Sequence, residues 1–286
     1  MERMDRRERV LNDAELRRKR LTQLYKDAED EAVLLLAAAL ASAKPAEALR
    51  TAQTSIRARM ERAGQQARDW ADDSLTTLYA RGLMDASERL ALPHPESSPV
   101  HLAIIASLAA VVLEKLQSVN AAVDHNVAAV CASAQAGAAA ARLANPTNWQ
   151  ALAAQLRQDV LSKGVTGFID KAGHSWKVDT YVDVVAQSSV MRAYNAGVEA
   201  ETQAQGLDLV QLSDEIDDNT CEACAKWAGS VLSVTGATPG FATVDDAEAD
   251  GVFHCHCVHT LAPLTAAEAA AAIANNGNSR AGTKEA

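Results

Sequence analysis

A helical spacing of apolar side chains at the start of the chain constrains the fold more than any other feature. Over residues 6–42, apolar side chains such as Leu21, Leu24 and Ala28 recur about every three to four positions, and charged side chains fill the other faces. This period predicts one long amphipathic α-helix. Pro45 then suits the first turn of a second helix, because a backbone N–H at that position would have no helical partner anyway.

The same period continues along most of the remaining chain. It predicts further helices over residues 45–64, 70–83, 98–143 (an Ala-rich region with one expected break), 149–162 and 181–204. Composition agrees with this pattern, since hydrophobic residues form 48% of the chain and aromatic residues only 4%. The apolar fraction is therefore rich in alanine and leucine, which lose little side-chain entropy in a helix.

Glycine-punctuated, β-prone segments replace the helical period after residue 163. Residues 168–170 and 175–178 predict a small hairpin, and residues 207–213, 230–234 and 255–261 predict short strands. The small polar residues from Asn275 onward predict a disordered tail. The fold class that follows is α+β and predominantly α-helical, with a long helical N-terminal body before a small α+β C-terminal domain.

A proline-rich stretch gives the clearest boundary in the chain. Pro93, Pro95 and Pro99 lie close together, and prolines interrupt helices. The predicted organisation is a helical arm over residues 1–92, a linker over 93–99, an Ala-rich helical region over 100–163, an α+β core with the Cys/His cluster over 164–264, and a short helix with the disordered tail over 265–286.

The charge balance and the N-terminus restrict the partners and the location. A net charge of −10 argues against a protein that mainly grips nucleic acid, because neutralising phosphates needs a concentrated basic surface. The charged N-terminus has no apolar signal-peptide core, and the uninterrupted apolar stretches near residues 32–41 and 102–113 fall short of the ~20 residues of a membrane span. We therefore expect synthesis in a cytosol, no membrane partner, and apolar stretches that are buried helix faces.

Cysteine and histidine residues in the last third of the chain form the pattern that carries chemistry. Cys221 and Cys224 form a C-x-x-C turn, and the string HCHCVH follows at residues 254–259. In a reducing cytosol, these cysteines predict metal binding rather than disulfides. A C-x-x-C turn can place two thiolates on one zinc ion, and a second pair of ligands from a distant strand completes the tetrahedron.

The second pair of ligands has more than one possible composition. Alternate residues of a strand share a face, so Cys257 and His259 could both point at the C-x-x-C turn. His254 could replace His259, and Cys255 and His256 are spare donors. The candidate ligands are thus Cys221, Cys224, His254, Cys257 and His259. A closed set of four leaves no position for water, which would make the zinc structural rather than catalytic.

Other interpretations of the cysteines stay open. The cluster could consist of packed or solvent-exposed side chains without a metal. A two-cysteine redox centre is disfavoured, because no βαβ pattern of the thioredoxin type surrounds Cys221. Cys131 lies among alanines and valines in the Ala-rich region, which indicates a small buried hydrophobic side chain.

Several strings around the cysteines resemble the C-terminal core of a known family. The strings are DDNTCEAC (217–224), WAG (227–229), VLS (231–233) and FHCHCVHTL (253–261). They are similar to the phage minor capsid proteins of the Mu protein F-like head-morphogenesis family. That family's last motif usually reads HPNCRH or ends in CRC. Cys255, His256 and Val258 stand here in place of proline, asparagine and arginine, while the His, Cys and His positions keep the pattern.

The resemblance extends upstream along the chain. FIDKAGHSW (168–176) and MRAYNAG (191–197) are similar to the family's glycine hairpin and the helix after it. LYARG (78–82) matches a helical motif nearer the N-terminus. Gln187 and Ser188 stand where an Arg-Thr pair is common in the family.

The resemblance implies a structural, non-enzymatic virion protein of a tailed bacteriophage. Its implied partner is the phage portal protein, with the major capsid or scaffolding protein and packaged DNA as further candidates. It would act in head assembly or in DNA packaging or ejection. It would lie in the capsid interior or at the portal vertex, after synthesis in the host bacterial cytoplasm.

Alternative functions stay open beside this one. A metal-dependent nuclease or a zinc-stabilised DNA-associated module would use the histidine-rich end, and a nuclease would need an open metal position and a general base. A carrier for an attached effector domain would need chain beyond Leu264, where we expect no room for one. The sequence contains no G-x-S-x-G, P-loop or H-E-x-x-H string, which favours the non-enzymatic interpretation.

Overall fold

Helices form most of the protein in the computed structural model, which describes residues 6–95, 98–144, 146–163, 168–169, 174–217 and 220–281. Within those ranges the helices are α1 (Arg6–Leu40), α2 (Pro45–Arg89), α3 (Pro99–Ala144), α4 (Pro146–Lys163), α5 (Val178–Ala204), α6 (Glu222–Trp227), α7 (Val244–Ala249) and α8 (Ala266–Ala281). The strands are β1 (Phe168–Ile169), β2 (Ser175–Trp176), β3 (Leu209–Leu212), β4 (Val231–Ser233) and β5 (Leu261–Pro263). The predicted α+β, predominantly helical fold class is confirmed.

The second helix is continuous, although the sequence pattern predicts two helices there. It begins at Pro45, as predicted, and runs to Arg89. Gly64 lies inside it, where a Cβ atom would stand 3.0 Å from Nδ2 of Asn120 on α3. The glycine therefore serves close packing between α2 and α3, and this packing offsets its cost to helix stability of about 1 kcal/mol relative to alanine.

The third helix likewise continues without the predicted break. Gly137 near its end packs against α4, because a Cβ atom there would lie 1.8 Å from Cδ2 of Leu152. One side of α3 is a buried seam at helical spacing, formed by Val112, Leu116, Val119, Val123, Val127, Cys131 and Ala134. Cys131 is thus a buried hydrophobic side chain, as predicted, and its Sγ lies 3.9 Å from the carbonyl oxygen of Leu49.

The apolar stretch at residues 102–113, for which the sequence predicts a buried helix face, is only partly buried. Leu102 is 60% exposed and Val111 is 52% exposed. In the described part of the chain, one helical segment, Pro99–Gly137, is long and apolar enough to cross a membrane, judged by length and composition. Of its most apolar 18-residue stretch, 22% is buried. Glu114 and Lys115 lie within this segment, so its uninterrupted apolar stretch is shorter than the segment itself. A single segment of this kind is weak evidence for a membrane span, since core helices meet the same criterion.

The chain forms two compact units, each built from distant stretches of sequence. The first unit contains Met1–Arg18, Asp72–Ala110 and Gln187–Ala286, and the second contains Lys19–Ala71 and Val111–Ala186. Helices α1, α2, α3 and α5 contribute residues to both units. The sequence-based boundaries at residues 92, 99, 163 and 264 stay a prediction.

The second unit is mainly helical, with a core of side chains from α1, α2 and α3. Leu21, Tyr25 and Leu49 are fully buried there. On its surface, Arg57 of α2 pairs with Asp124 of α3 at 3.1 Å. The predicted hairpin is confirmed, since β1 and β2 pair antiparallel with Phe168 opposite Trp176 and Ile169 opposite Ser175. Gly164, Gly167 and Gly173, which mark this hairpin in the sequence, lie outside the described residues.

Two glycines let α2 and α5 cross closely in the first unit. A Cβ atom on Gly82 would lie 2.0 Å from the carbonyl oxygen of Tyr194, and a Cβ atom on Gly197 would lie 2.1 Å from the carbonyl oxygen of Tyr79. The relation is reciprocal, so each backbone packs where the other helix lacks a side chain. Tyr194 also donates its hydroxyl to the buried carboxylate of Asp85 on α2 at 3.1 Å. The LYARG and MRAYNAG strings are therefore the two sides of one helix crossing.

A three-stranded antiparallel sheet in the order β4-β3-β5 completes the first unit. Val210 of the central strand pairs with Leu232 of β4 and with Pro263 of β5. Pro263 lies on an edge strand, where a missing N–H is tolerated. Asn195 of α5 joins the helix to this sheet, because its side chain accepts the N–H of Leu261 at 3.0 Å.

The sheet and the C-terminal helix differ from the sequence pattern at two places. β3 and β4 lie inside their predicted strands, but the predicted strand over residues 255–261 is wrong, because β5 begins only at Leu261. Positive φ values at Phe253 and His256 turn the chain in this region, and an extended strand cannot include them. Helix α8 reaches Ala281, so helix extends beyond Asn275, where composition predicts disorder.

Asp208, just before β3, organises the loop between β4 and α7. Its carboxylate accepts the hydroxyl of Ser233 at 2.5 Å, and both the backbone N–H and the hydroxyl of Thr235 (2.8 and 2.6 Å) and of Thr238 (3.0 and 2.6 Å). Burial by itself would raise the pKa of Asp208, but these hydrogen bonds lower it to about 2. The ionised carboxylate therefore holds the loop that leads into α7.

Candidate metal centre

The C-x-x-C turn forms the start of α6. Cys221 caps the N-terminus of this helix, and its Sγ accepts the backbone N–H of Cys224 at 3.4 Å. Residues three apart lie on one face of a helix, so the two thiols point to the same side. Cys224 is buried, and Cys221 is partly exposed.

The second candidate segment follows α7. A capping box between Thr243 and Asp246 starts that helix, and Gly251 turns the chain after it with a φ of 101°. A tight turn comes next, in which the N–H of Cys257 donates to the carbonyl oxygen of His254 at 3.0 Å. The turn directs the side chains of His254 and Cys257 toward α6.

Thiol and imidazole groups of the two segments meet in space. Sγ of Cys221 lies 3.2 Å from Nε2 of His254, and Sγ of Cys224 lies 3.8 Å from Sγ of Cys257. The ligand atoms of Cys221, Cys224 and His254 all lie within 4.8 Å of one another. This group could therefore bind a metal ion.

Two of the separations can be compared with those in a tetrahedral zinc site. With Zn–S and Zn–N bonds of about 2.3 and 2.0 Å, a tetrahedral zinc site places two sulfur ligands about 3.8 Å apart, and a sulfur and a nitrogen about 3.5 Å apart. The 3.8 Å between Cys224 and Cys257 equals the first value. The 3.2 Å between Cys221 and His254 is slightly shorter than the second, and Cys257 would have to move closer to Cys221 and His254 to complete the tetrahedron.

The ring of His254 is oriented for a ligand at Nε2. Its Nδ1 lies against the carbonyl oxygen of Cys255, which can only accept a hydrogen bond. A proton on Nδ1 would satisfy this carbonyl and would leave Nε2, which lies 3.2 Å from Sγ of Cys221, able to bind a metal ion. A backbone carbonyl on the outer nitrogen is a common way of fixing the tautomer of a metal-binding histidine.

The two cysteines of the C-x-x-C turn differ in acidity. Burial and the neighbouring Cys257 thiol raise the pKa of the Cys224 thiol, whereas the backbone N–H of Cys224 lowers the pKa of Cys221. Cys224 is consequently a neutral thiol in the metal-free protein. A bound cation would stabilise its thiolate, so metal binding would release a proton from this buried residue.

His259 has a different set of partners. It is 5% exposed, its Nδ1 lies 2.9 Å from the hydroxyl oxygen of Ser213, and its carbonyl oxygen accepts a hydrogen bond from Asn195 at 3.1 Å. Burial lowers the pKa of the ring, and the charge of Arg7 lowers it further. His259 thus joins the sheet to α5 as a neutral side chain.

Of the five candidate ligands, the structure brings Cys221, Cys224 and His254 into one group, and it places Cys257 beside Cys224 but outside that group. The expectation that Cys257 and His259 share a strand face is wrong, because the chain between them is not a strand. Cys255 and His256, the spare donors, are exposed. The choice between His254 and His259 depends on the turn at residues 253–257, for which the sequence carries no repeating pattern.

Sequence reasoning missed Asp250, which joins the two segments outside the metal group. Asp250 is the C-cap of α7, and its Oδ2 accepts the indole N–H of Trp227 at 2.7 Å and pairs with the ammonium group of Lys226. The Asp250-Gly251 dipeptide is a turn signal that could have drawn attention to this position.

The fold and the Cys/His group together define a class of protein: a predominantly helical chain whose small C-terminal sheet lies beside a compact thiol and imidazole cluster. Residues 42–269 match the model of the family described as Phage minor capsid protein 2. The match covers most of the chain and includes the whole Cys/His group, and the chain belongs to this family. No curated protein and no solved structure gives a significant match.

Family membership confirms the sequence-based assignment to the phage minor capsid proteins. The chain is therefore a structural protein of the phage head and a component of the virion.

Proposed function

We propose that this protein acts as a portal-associated, non-enzymatic component of the phage head, with a role in head assembly or in DNA packaging or ejection, as in the Mu protein F-like group. The observation that carries the proposal is the family match over residues 42–269. The net charge of −10 supports a protein partner over a main role in gripping DNA.

The Cys/His group has a structural role in this proposal. A zinc ion held by Cys221, Cys224 and His254, with the neighbouring Cys257 moving in as the fourth ligand, would have no position for water, which is the arrangement of structural zinc sites. The ion would crosslink α6 to the turn that precedes β5. These segments are distant in sequence, so the crosslink would restrict a long stretch of the unfolded chain.

Portal association is tested with the full chain. Deleting the residues before Pro45 is not a clean test, because α1 contributes the buried side chains of Leu21, Tyr25 and Leu36 to the core. The tagged full-length chain is instead co-expressed with the portal protein of the same phage and, separately, with the major capsid protein. We expect a stable complex with portal, and recovery of the chain from purified virions. Capture by the major capsid protein alone would contradict the proposal.

The zinc centre is tested by metal analysis and a matched pair of variants. We expect one equivalent of zinc in the purified protein, and Cys224→Ser should lose the zinc and lower the melting temperature. Cys255→Ser is the control, since Cys255 is exposed and lies outside the proposed ligand set. Less than a tenth of an equivalent in the wild-type protein, or equal zinc contents in the two variants, would remove the zinc centre from the proposal.

The same protein preparation also tests the alternative function, a metal-dependent nuclease. Incubation of the zinc-loaded protein with double-stranded DNA and magnesium should leave the DNA intact, because a closed ligand set offers no activated water. Cleavage that Cys224→Ser abolishes and Cys255→Ser retains would support the nuclease instead.

A further inference from the structure

A second connection joins the two segments that carry the proposed zinc ligands, and it needs no metal. Asp250 lies four residues before His254, and Lys226 and Trp227 follow Cys224 on α6. The carboxylate of Asp250 accepts the indole N–H of Trp227 at 2.7 Å and pairs with Lys226. We call these three side chains the latch.

The backbone next to the latch is also in contact with the C-x-x-C turn. A Cβ atom on Gly251 would stand 3.4 Å from Cβ of Ala223, which lies between the two cysteines. The thiol group, this contact and the latch therefore all lie on the short stretch from Cys221 to Trp227. All three join it to residues 250–257.

We propose that Asp250 is a positioning residue that holds the His254–Cys257 turn against α6 before a metal ion binds. The inference rests on the zinc centre proposed above and concerns how that centre is assembled. Closing the loop between Trp227 and Asp250 costs conformational entropy. If the latch already closes that loop in the metal-free protein, zinc binding does not have to supply this entropy cost, and the zinc affinity is higher.

The exposure of the latch separates this role from a general contribution to stability. The side chains of Lys226 and Asp250 are 65% and 43% exposed. Exposed ion pairs contribute little to global stability. Loss of the latch should therefore appear in the zinc affinity and in the thiol reactivity of the metal-free protein, while the melting of the helical body changes little.

Zinc affinity is measured by competition with a chromophoric chelator for the wild-type chain, Asp250→Ala and Glu222→Ala. Glu222 is the matched control, because it is exposed, directly follows Cys221, and its substitution removes the same charge. We expect Asp250→Ala to weaken zinc binding about tenfold, at the lower end of what substitution of supporting residues costs a metal site. Glu222→Ala should weaken it less than threefold. Asp250→Asn, which keeps an acceptor for Trp227, should lie between them.

Cobalt substitution shows whether the ligand set is intact. Asp250→Ala should retain the thiolate-to-cobalt charge-transfer bands of the wild-type protein at saturating cobalt, because the four ligands are unchanged. Loss of these bands would mean that Asp250 determines which ligands bind, and would overturn the positioning role. Equal zinc affinities of Asp250→Ala and the wild-type chain would overturn it as well.

A measurement on the metal-free protein separates failure of this inference from failure of the zinc centre. The latch predicts that Cys224 and Cys257 react with N-ethylmaleimide several-fold faster in Asp250→Ala than in the wild-type chain, with the modified sites located by mass spectrometry. Glu222→Ala should react at the wild-type rate. If the wild-type protein binds no zinc but Asp250→Ala still shows the faster reaction, the zinc centre fails and the latch stands. Equal reaction rates would refute the latch whether or not zinc binds.

Discussion

Substitution of Gly82 by alanine should destabilise the protein strongly, although the same change in an exposed helix stabilises it by about 1 kcal/mol. The added Cβ would lie 2.0 Å from the carbonyl oxygen of Tyr194, whereas real Cβ contacts essentially never fall below 3.0 Å. The helices α2 and α5 must therefore separate by about 1 Å. The opposing atom belongs to the backbone, so no side-chain rotation relieves the overlap.

The expected magnitude follows from the cost of overpacking. One extra methylene in a packed core costs about 1–3 kcal/mol. Here the whole crossing must open, and the buried hydrogen bond between Tyr194 and Asp85 lies beside it. We expect a loss of at least about 3 kcal/mol, which corresponds to a fall in melting temperature of about 6–12 °C for a chain of this size.

The assay is thermal and urea unfolding followed by circular dichroism at 222 nm. Gly64→Ala is the matched control, since Gly64 lies in the same helix and its added Cβ would meet only the movable amide of Asn120, at 3.0 Å. Its free energy of unfolding should stay within about 1 kcal/mol of wild type, because helix propensity and crowding oppose each other. If Gly82→Ala melts within 2 °C of Gly64→Ala, the close backbone crossing is refuted.

Three further substitutions test the charged and hydrogen-bonded groups of the first unit. Glu199→Gln should stabilise the protein above pH 7, because burial, with Asp245 and Glu248 nearby, raises the pKa of Glu199 from 4.5 to about 7. The folded state then keeps a proton that the unfolded state releases, so stability falls by up to about 3 kcal/mol as the pH rises from 4.5 to 7, and the advantage of the variant in urea should vanish below pH 4.5. Asp208→Asn should lower the free energy of unfolding by about 1–2 kcal/mol at neutral pH. The pKa of Asp208 is lowered from 3.8 to about 2, so the stability it supplies is present above pH 3.8 and is lost as the pH falls toward 2; an equal difference from wild type at pH 2 and pH 7 would contradict this. Tyr194→Phe removes a hydrogen-bond donor from the buried carboxylate of Asp85 and should cost about 1–3 kcal/mol, so an unchanged urea midpoint would count against that bond.

The sequence alone determined the features that depend on neighbours along the chain. The spacing of apolar residues predicted α1 and the start of α2 at Pro45, and glycine punctuation predicted the hairpin of β1 and β2. These predictions are correct because the hydrogen bonds within a helix and across a short hairpin join residues that are close in sequence. Buried side chains therefore recur with the period of the helix or strand. The Cys/His spacing likewise indicated two segments that could meet on one ion.

Tertiary structure alone decided what individual residues do within those elements. Glycine disfavours helix interiors, yet Gly64, Gly82 and Gly137 each permit a close approach of another helix or of its side chains. The cysteine and histidine pattern left His254 and His259 as alternatives. Two positive φ values place His254 beside Cys221, and His259 instead contacts Ser213, the residue after β3. The physical reason is the same in both cases, because the deciding contacts join residues far apart in sequence and exist only once the helices and the sheet have packed.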